Sequence, residues 1–366
     1  MKSESDERLP DPAPGDPTIT AVIVHYRTPD FLAASVEALQ ADARNAGLRV
    51  QVVVVDNGAA SASPEERLDA GELGTLVIEP SSNLGYAGGV NLGARAPSGN
   101  VLLVMNADVI VVPGCLRALV EALREADIAG PRLFWDRGGR LMLPPQQVRT
   151  RAAELDAVCA ERSKHWGRSY RRRWRRRARA FWSASEAMPC FELTGALLAM
   201  TTDCWRRVGP FDEGFRLYFE ETDWLLRART KGARAVLAPA ARAVHAYDQS
   251  AQREPRAQPW FEESMKRFRR RRYGAWFAAL LRVIERLPRR FADPPALPDA
   301  PVGGEAWIEV TPLPLGVPAA GCRLGADAPA DFDLPAAVVR EARSELWVRV
   351  SDAGCRDLRG QVASTS

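Results

Sequence analysis

Three carboxylates stand within four residues, Glu220, Glu221 and Asp223, flanked by Phe219 and Trp224. Charges this close perturb one another, because a like-charge neighbour raises a carboxyl pKa. A carboxylate so tuned suits a general base that takes a proton from a hydroxyl within hydrogen-bond reach. The bland alternative is helix capping, since acids in a first turn are stabilised by the helix dipole. Asp108, in Asn106-Ala107-Asp108, follows the apolar run Val101–Met105. Hard cations such as Mg²⁺ or Mn²⁺ take oxygen ligands, often one or two carboxylates plus substrate phosphates. Asp108 can serve directly, and Asn106 offers a neutral oxygen. In the stretch Asn83-Leu84-Gly85-Tyr86-Ala87-Gly88-Gly89-Val90-Asn91, glycines let the backbone approach a ligand, and amides at a following helix start favour an anion. The G-x-G-x-x-G spacing of a dinucleotide site is absent. Thr194-Gly195-Ala196 is small enough for a sugar to approach the backbone. Asp56-Asn57-Gly58 reads in isolation as a turn, and His245 in isolation as a satisfied buried histidine.

The elements that must position these groups alternate from Thr18 onward. Strand-like runs at Ile19–His25, Val50–Val55, Thr75–Glu79 and Asn100–Met105 are interleaved with helical spacing at Phe31–Leu39 and Tyr86–Ala96. A helix over Gly114–Ala126, opened by Pro113, follows. Such alternation predicts a mainly parallel sheet covered on both faces, with ligands at the carboxyl ends of the strands. His25-Tyr26-Arg27, Asp56-Asn57, Asn83–Asn91 and Asn106–Asp108 all fall at such ends. Four coincidental turns on one rim are a poorer account of that placement than one site.

A net charge of +4 conceals an uneven distribution. Residues 162–179 hold ten Lys or Arg and no acid, and 266–273 hold six more, so the remainder is acidic. Concentrated basic segments point to an anionic partner surface. No apolar stretch approaches the ~18 residues of a membrane span, and the acidic, Pro-rich start lacks a signal-peptide core. Six irregularly spaced cysteines argue against a zinc cage or disulfide framework. The expected organisation is a disordered tail over 1–17, an α/β domain over 18–287, a Pro-rich linker over 288–304 and a small β-domain over 305–366. The α/β domain carries an Arg-rich insertion (140–192) and a basic amphipathic helix (258–287). On that helix Trp276, Phe277, Leu280, Leu281, Ile284 and Leu287 are expected on one side, suited to an anionic membrane face. No nucleic acid is expected, since no nucleic-acid module is recognisable.

The blocks AVIVHYRTPDFL, VVVVDNG, NLGYAGGVNLG, LLVMNADV, LTGALLAM, VGPFDEGFRLYFEETDWLLRARTKG and AVHAY occur in that order. As an ordered set they resemble the family 2 glycosyltransferases, in particular a rhamnosyltransferase-like branch, from about Thr18 to Tyr273. The resemblance implies a GT-A fold, a mixed and mainly parallel Rossmann-like sheet, and an inverting transfer with a divalent metal on the donor diphosphate. It places Tyr26 and Asp56 against the nucleotide. Arg27, where the family usually has Asn, is left between a phosphate contact and a rim salt bridge. Asn83, Gly85, Gly88, Asn91, Asn106 and Gly195 join the nucleotide-sugar contacts, and Asp108 with His245 forms the metal position. Glu221 falls on the second position of the family's Glu-Asp-x-Asp, the base, one methylene longer than usual. Glu220 and Asp223 would orient the acceptor or the helix start.

The expected function is therefore transfer of a hexose or deoxyhexose, such as rhamnose, from a nucleotide-diphosphate donor to a hydroxyl of a glycan or lipid-linked acceptor. The expected place is the cytoplasm, at the inner face of a membrane if the basic segments engage it. Two rivals stand beside this reading. A sugar nucleotidyltransferase would carry a Gly-rich basic loop near its N-terminus, where this chain has His25-Tyr26-Arg27-Thr28-Pro29-Asp30. A non-catalytic scaffold is the other, kept open by Asn106 and Glu221.

Overall fold

β-Branched and aliphatic runs form the centre of the molecule. The computed structural model describes residues 18–61, 68, 73–95, 97–246, 256–291, 306–324, 338 and 346–363. The expected tail (1–17) and most of the expected linker (288–304) lie outside the described residues. Strand β1 (Thr18–His25) lies between β2 (Arg49–Asp56) and β4 (Val101–Asn106), parallel to both, and β3 (Leu76–Ile78) extends β2 in parallel. The register His25↔Asp56 and Val24↔Asn106 brings these strand ends to one rim.

Beyond β4 the sheet becomes mixed. Its order is β3-β2-β1-β4-β8-β6-β9-β5, with β5 spanning Val109–Val111, β6 Ile128–Phe134, β8 Leu197–Thr201 and β9 Ala235–His245. A two-residue β7 (Met188–Pro189) also pairs with β9. β8 runs antiparallel to β4 and β6, while β6 and β9 are parallel. The start of β8 and the ends of β6 and β9 therefore face the same rim as the ends of β1, β2 and β4.

Successive strand residues serve opposite layers, as the two-residue repeat requires. Ile23, Leu103 and Met105 pack with Leu32, Val36 and Leu39 of α1 (Pro29–Ala46) and Leu116 and Leu119 of α3 (Cys115–Ala122). Val22, Leu102 and Val104 face the layer containing Val90 of α2 (Gly85–Gly93) and Trp224 of α7 (Glu220–Thr230). α1 opens with Pro29 in its first turn and ends on Gly47 in the left-handed region, which closes the helix without a Cβ clash. It is nearly twice as long as the apolar spacing suggested, because polar positions on its outer face continue the turn. The carboxylate of Asp42 accepts from the amides of Gly114 and Leu116 and caps α3 from another helix.

The Arg-rich insertion is helical, with one face of its helices buried. It contains α4 (Arg151–Ala160) and α5 (Lys164–Trp182), capped by the hydroxyls of Thr150 and Ser163. Between α5 and α7 lies the short α6 (Thr202–Val208). The inner face of α5 meets an antiparallel sheet, β11-β10-β12-β13, built from β10 (Ala306–Thr311), β11 (Ala320–Leu324), β12 (Leu346–Asp352) and β13 (Asp357–Ala363). Trp182 stacks on Trp307 at 5.3 Å, and Trp174 meets Trp182 edge-on at 5.8 Å. Arg175 and Glu309, each at most 1% exposed, pair at 2.7 Å, and Ser351 donates to the same carboxylate. Met142 and Gly321 exchange backbone hydrogen bonds at 2.8 Å. The basic run read from sequence as a partner surface thus spends part of its charge inside the protein.

The expected single helix over 258–287 is two: α8 (Ala257–Tyr273) and α9 (Ala275–Glu285), separated at Gly274. Gly274 has φ +89° and ψ 158°, a conformation that glycine alone adopts at low cost. The apolar residues of α9 consequently divide. Phe277 and Leu281 are buried, whereas Trp276 is 77% exposed and Leu287, just past the helix end, 55%.

Candidate active site

The rim formed by these strand ends borders a cavity of about 510 Å³, within the range of small-molecule sites. Tyr26 enters from the end of β1, and Asn57 rather than Asp56 enters from β2. Asp56 is buried and accepts from His25 Nδ1 at 3.0 Å and from the Gly58 amide at 2.9 Å. His25 Nε2 in turn accepts from the Thr28 amide at 2.8 Å, which fixes the tautomer with the proton on Nδ1. Asp56 therefore sets the shape of the turn beside the cavity. Arg27 lies in the left-handed region at φ 53° with its guanidinium 5.5 Å from the Tyr26 ring, and it is not part of the cavity wall.

The glycine-rich stretch is held by amide side chains. Asn57 donates to Gly85 O at 2.9 Å and accepts from Leu84 N, while Asn83 accepts from Gly85 N at 2.8 Å. Gly85 has φ +74°, and a Cβ there would lie 2.3 Å from the carbonyl oxygen of Arg216. Asn83 and Gly85 line the cavity; Gly88 and Asn91 do not. Gly88 is required because a Cβ would meet Leu84 at 2.8 Å. Asn91 ties α2 to the distant loop after Val208 through both backbone groups of Phe211 and the carboxylate of Glu213.

Strand register explains the meeting of Asp108 and His245, which lie far apart in sequence. Val109, first in β5, pairs with His245, last in β9, and Ala246 N donates to Asp108 O. Their side chains lie 3.3 Å apart (Oδ1 to Nε2), both buried and both lining the cavity with Asn106. Among the described residues no group of three or more His, Cys, Asp or Glu side chains is placed to hold a metal. The pair does fit a divalent ion that takes its remaining oxygens from a bound diphosphate.

The acids sit at the start of α7, after two left-handed residues, Tyr218 (φ 66°) and Phe219 (φ 72°). Non-glycine residues there cost on the order of 1–3 kcal/mol each, and the sharp turn they make carries Glu220 and Glu221 inward. Both carboxyls are buried, and Oε2 of each lacks a hydrogen-bond partner. Burial, then the neighbouring Glu221 charge, holds the Glu220 pKa well above the ordinary carboxyl value. Glu221 is also raised by burial, but backbone amides, its own and those of Thr222 and Gly195, and the Arg149 charge favour its ionised form. Burial thus raises both, and the charged form is less disfavoured at Glu221 than at Glu220. Gly195 leaves room for this, since a Cβ would sit 3.1 Å from that of Glu221, and its carbonyl accepts from Tyr86 Oη. Burial, then the charges of Glu220, Glu221 and Asp108, pushes the Tyr86 phenol up. Asp223 points elsewhere. It pairs with Arg227 at 2.8 Å, and Arg227 binds the carbonyls of Val208 and Pro210.

Tyr86, Arg149 and Arg216 also line the cavity, and none was assigned to the site from sequence. Arg149 lies over the Phe219 ring at 4.8 Å and pairs with Glu154, a placement only the fold reveals. Asn57 was legible in principle, being adjacent to Asp56 at a strand end.

Residues 20–183 match the family model described as glycosyl transferase family 2. That segment, under half of the chain, is similar to the family 2 glycosyltransferases. The chain is 25% identical over 254 residues to the N-acetylglucosaminyl-diphospho-decaprenol L-rhamnosyltransferase of Mycobacterium tuberculosis, covering 64% of this chain and 78% of that one. It is 31% identical over 120 residues to the succinoglycan biosynthesis protein ExoO of Rhizobium meliloti, covering 33% of each. The match therefore spans only about a third of ExoO. A solved structure of GalNAc-T7 with UDP, GalNAc and Mn²⁺ aligns at TM-score 0.47 and 15% identity, over 75% of this chain and 52% of that one. The mixed, mainly parallel sheet with a small second sheet is the GT-A arrangement expected from sequence. No helix among the described residues is long and apolar enough to cross a membrane.

Proposed function

We propose that this glycosyltransferase moves a sugar, with inversion, from a nucleotide-diphosphate donor to a hydroxyl of a glycan or lipid-linked acceptor in polysaccharide biosynthesis. The observation that carries the reading is the buried Glu220–Glu221 pair sharing one cavity with Asp108 and His245. Tyr26, Asn57 and Asn83 border the end where the nucleotide would lie. Asp108 and His245 would hold a Mg²⁺ or Mn²⁺ ion, which when bound neutralises charge on the departing diphosphate. Glu221 takes the proton of the acceptor hydroxyl as its oxygen attacks the anomeric carbon and the diphosphate leaves. Burial and the Glu221 charge favour the neutral form of Glu220, which limits the negative charge near that oxygen. The relative from M. tuberculosis, named for a lipid-diphosphate-linked sugar acceptor and for rhamnose, supports a deoxyhexose donor and a lipid-linked acceptor. Incubation with a panel of nucleotide sugars, Mg²⁺ or Mn²⁺ and acceptor extracts, followed by released nucleotide, tests this. Turnover with one donor is expected, and none with any donor would favour the scaffold reading.

A second observation favours work at an anionic membrane face. Trp276, Val283 and Leu287 lie one and two turns apart on the outer side of α9, 77%, 59% and 55% exposed. Exposed Arg282 and Arg286 flank them. An apolar stripe bordered by arginines suits the headgroup region of an anionic bilayer.

A further inference from the structure

Part of the cavity wall takes no share in the transfer chemistry. Nucleotide-side groups sit at the ends of β1 and β2, Asn106 at β4, and Glu221 against Gly195 at the start of β8. The next strand outward is β6, three places from β1, or roughly 14 Å at about 4.8 Å per strand. There the wall carries apolar side chains, Leu143 and Pro144 after β6, Tyr170 of α5, and Leu313, Leu315 and Pro318 from the β10–β11 loop, beside Gln146, Gln147, Arg149 and Glu161.

The β10–β11 loop is built, not incidental. Arg171, itself 1% exposed, donates to Leu315 O, Thr311 Oγ1 donates to Pro318 O at 2.6 Å, and Gly316 N to Leu313 O at 2.8 Å. Gly316 is required, since it has φ +82° and a Cβ would come 2.5 Å from Arg349 Nε. Leu313 is nonetheless 42% exposed at the cavity wall, an apolar side chain held where water reaches it.

Resting on the transferase reading above, we infer that this apolar part is an acceptor subsite for an aliphatic chain carried by the acceptor sugar. The C-terminal sheet and the Arg-rich helix are then part of acceptor selection. The hydroxyl to be glycosylated lies at Glu221 and the chain extends away from the nucleotide, over Leu143, Tyr170 and Leu313. A bare sugar would leave these side chains wet.

Calorimetric titration of the full chain with n-alkyl glucosides from methyl to octyl, below their micelle concentrations, tests the subsite. Affinity should rise about threefold to fourfold per methylene, with an increasingly negative heat-capacity change, until the compartment is full. The Leu313→Asp variant should flatten that slope while binding methyl glucoside as the wild type does. Because Leu313 is half-exposed, the variant is expected to fold, and its unfolding midpoint checks this. A slope absent in the wild type, or lost affinity that is equal for methyl and octyl probes in Leu313→Asp, overturns the inference. The transferase reading fails separately: no nucleotide release with any donor, in a protein that still shows the chain-length slope, removes the reaction and leaves the apolar site.

Discussion

Glu220 and Glu221 are neighbours in the chain, yet burial treats them unequally. Burial raises both; the Glu221 carboxylate has amide donors and Arg149 to stabilise its charge, whereas Glu220 also faces the like charge of Glu221 with a single backbone hydrogen bond against it. Glu221→Gln should lower kcat by 10²–10⁴, the usual contribution of a positioned base, with nucleotide affinity unchanged; single-turnover rates and equilibrium titration separate the two. Glu220 yields a pH prediction whose sign follows from linkage. Its folded pKa exceeds its unfolded one, so the folded protein holds more protons and stability falls as pH rises through the interval between them. Glu220→Gln should therefore be more stable than the wild type at neutral and alkaline pH and equal to it at acid pH. Denaturant midpoints across pH check this, and a gap of the same size at every pH would contradict it. At this scale the acids, Asp108 and the glycines were readable from residue type. Asp56 was readable as important, though its partner is His25 and Asn57 meets the cavity. Which of two adjacent polar residues turns inward depends on strand register, and composition does not reveal it.

Among the elements, the four strands before Asn106 were legible because each is a short apolar run ending in turn residues. α8 and α9 were harder to read, since helical spacing continues through Gly274 and only its backbone angles reveal the break. The break gives α9 two apolar faces, one packed on the protein and the other open. Trp276→Glu should weaken binding to anionic vesicles about tenfold or more, from loss of one buried aromatic. Binding of the wild type should fall with added salt as well. Co-sedimentation with anionic and neutral vesicles measures both, and equal binding to the two vesicle types would remove the membrane role.

For the molecule as a whole, α5 joins two sheets that the sequence alone divides into separate domains. The run of arginines gave no sign of this, because a guanidinium facing a buried carboxylate and one facing water have the same letter. Arg175 and Glu309 are both essentially inaccessible, and removing one partner of such a pair costs about 3–5 kcal/mol. Glu309→Ala should show that loss in denaturant unfolding, while Arg175→Met with Glu309→Leu should recover most of it. Wild-type stability in Glu309→Ala would mean that the two sheets are not locked through this pair. The same contacts bear on where this protein can be divided. Cleaved after residue 291, the piece carrying Glu221 would lose the partners of Trp182, Arg175 and Met142. It would present a sticky apolar wall around an unneutralised cation. The smallest self-sufficient folding unit in this chain is therefore expected to include the C-terminal sheet, and the matched family segment is shorter than that unit.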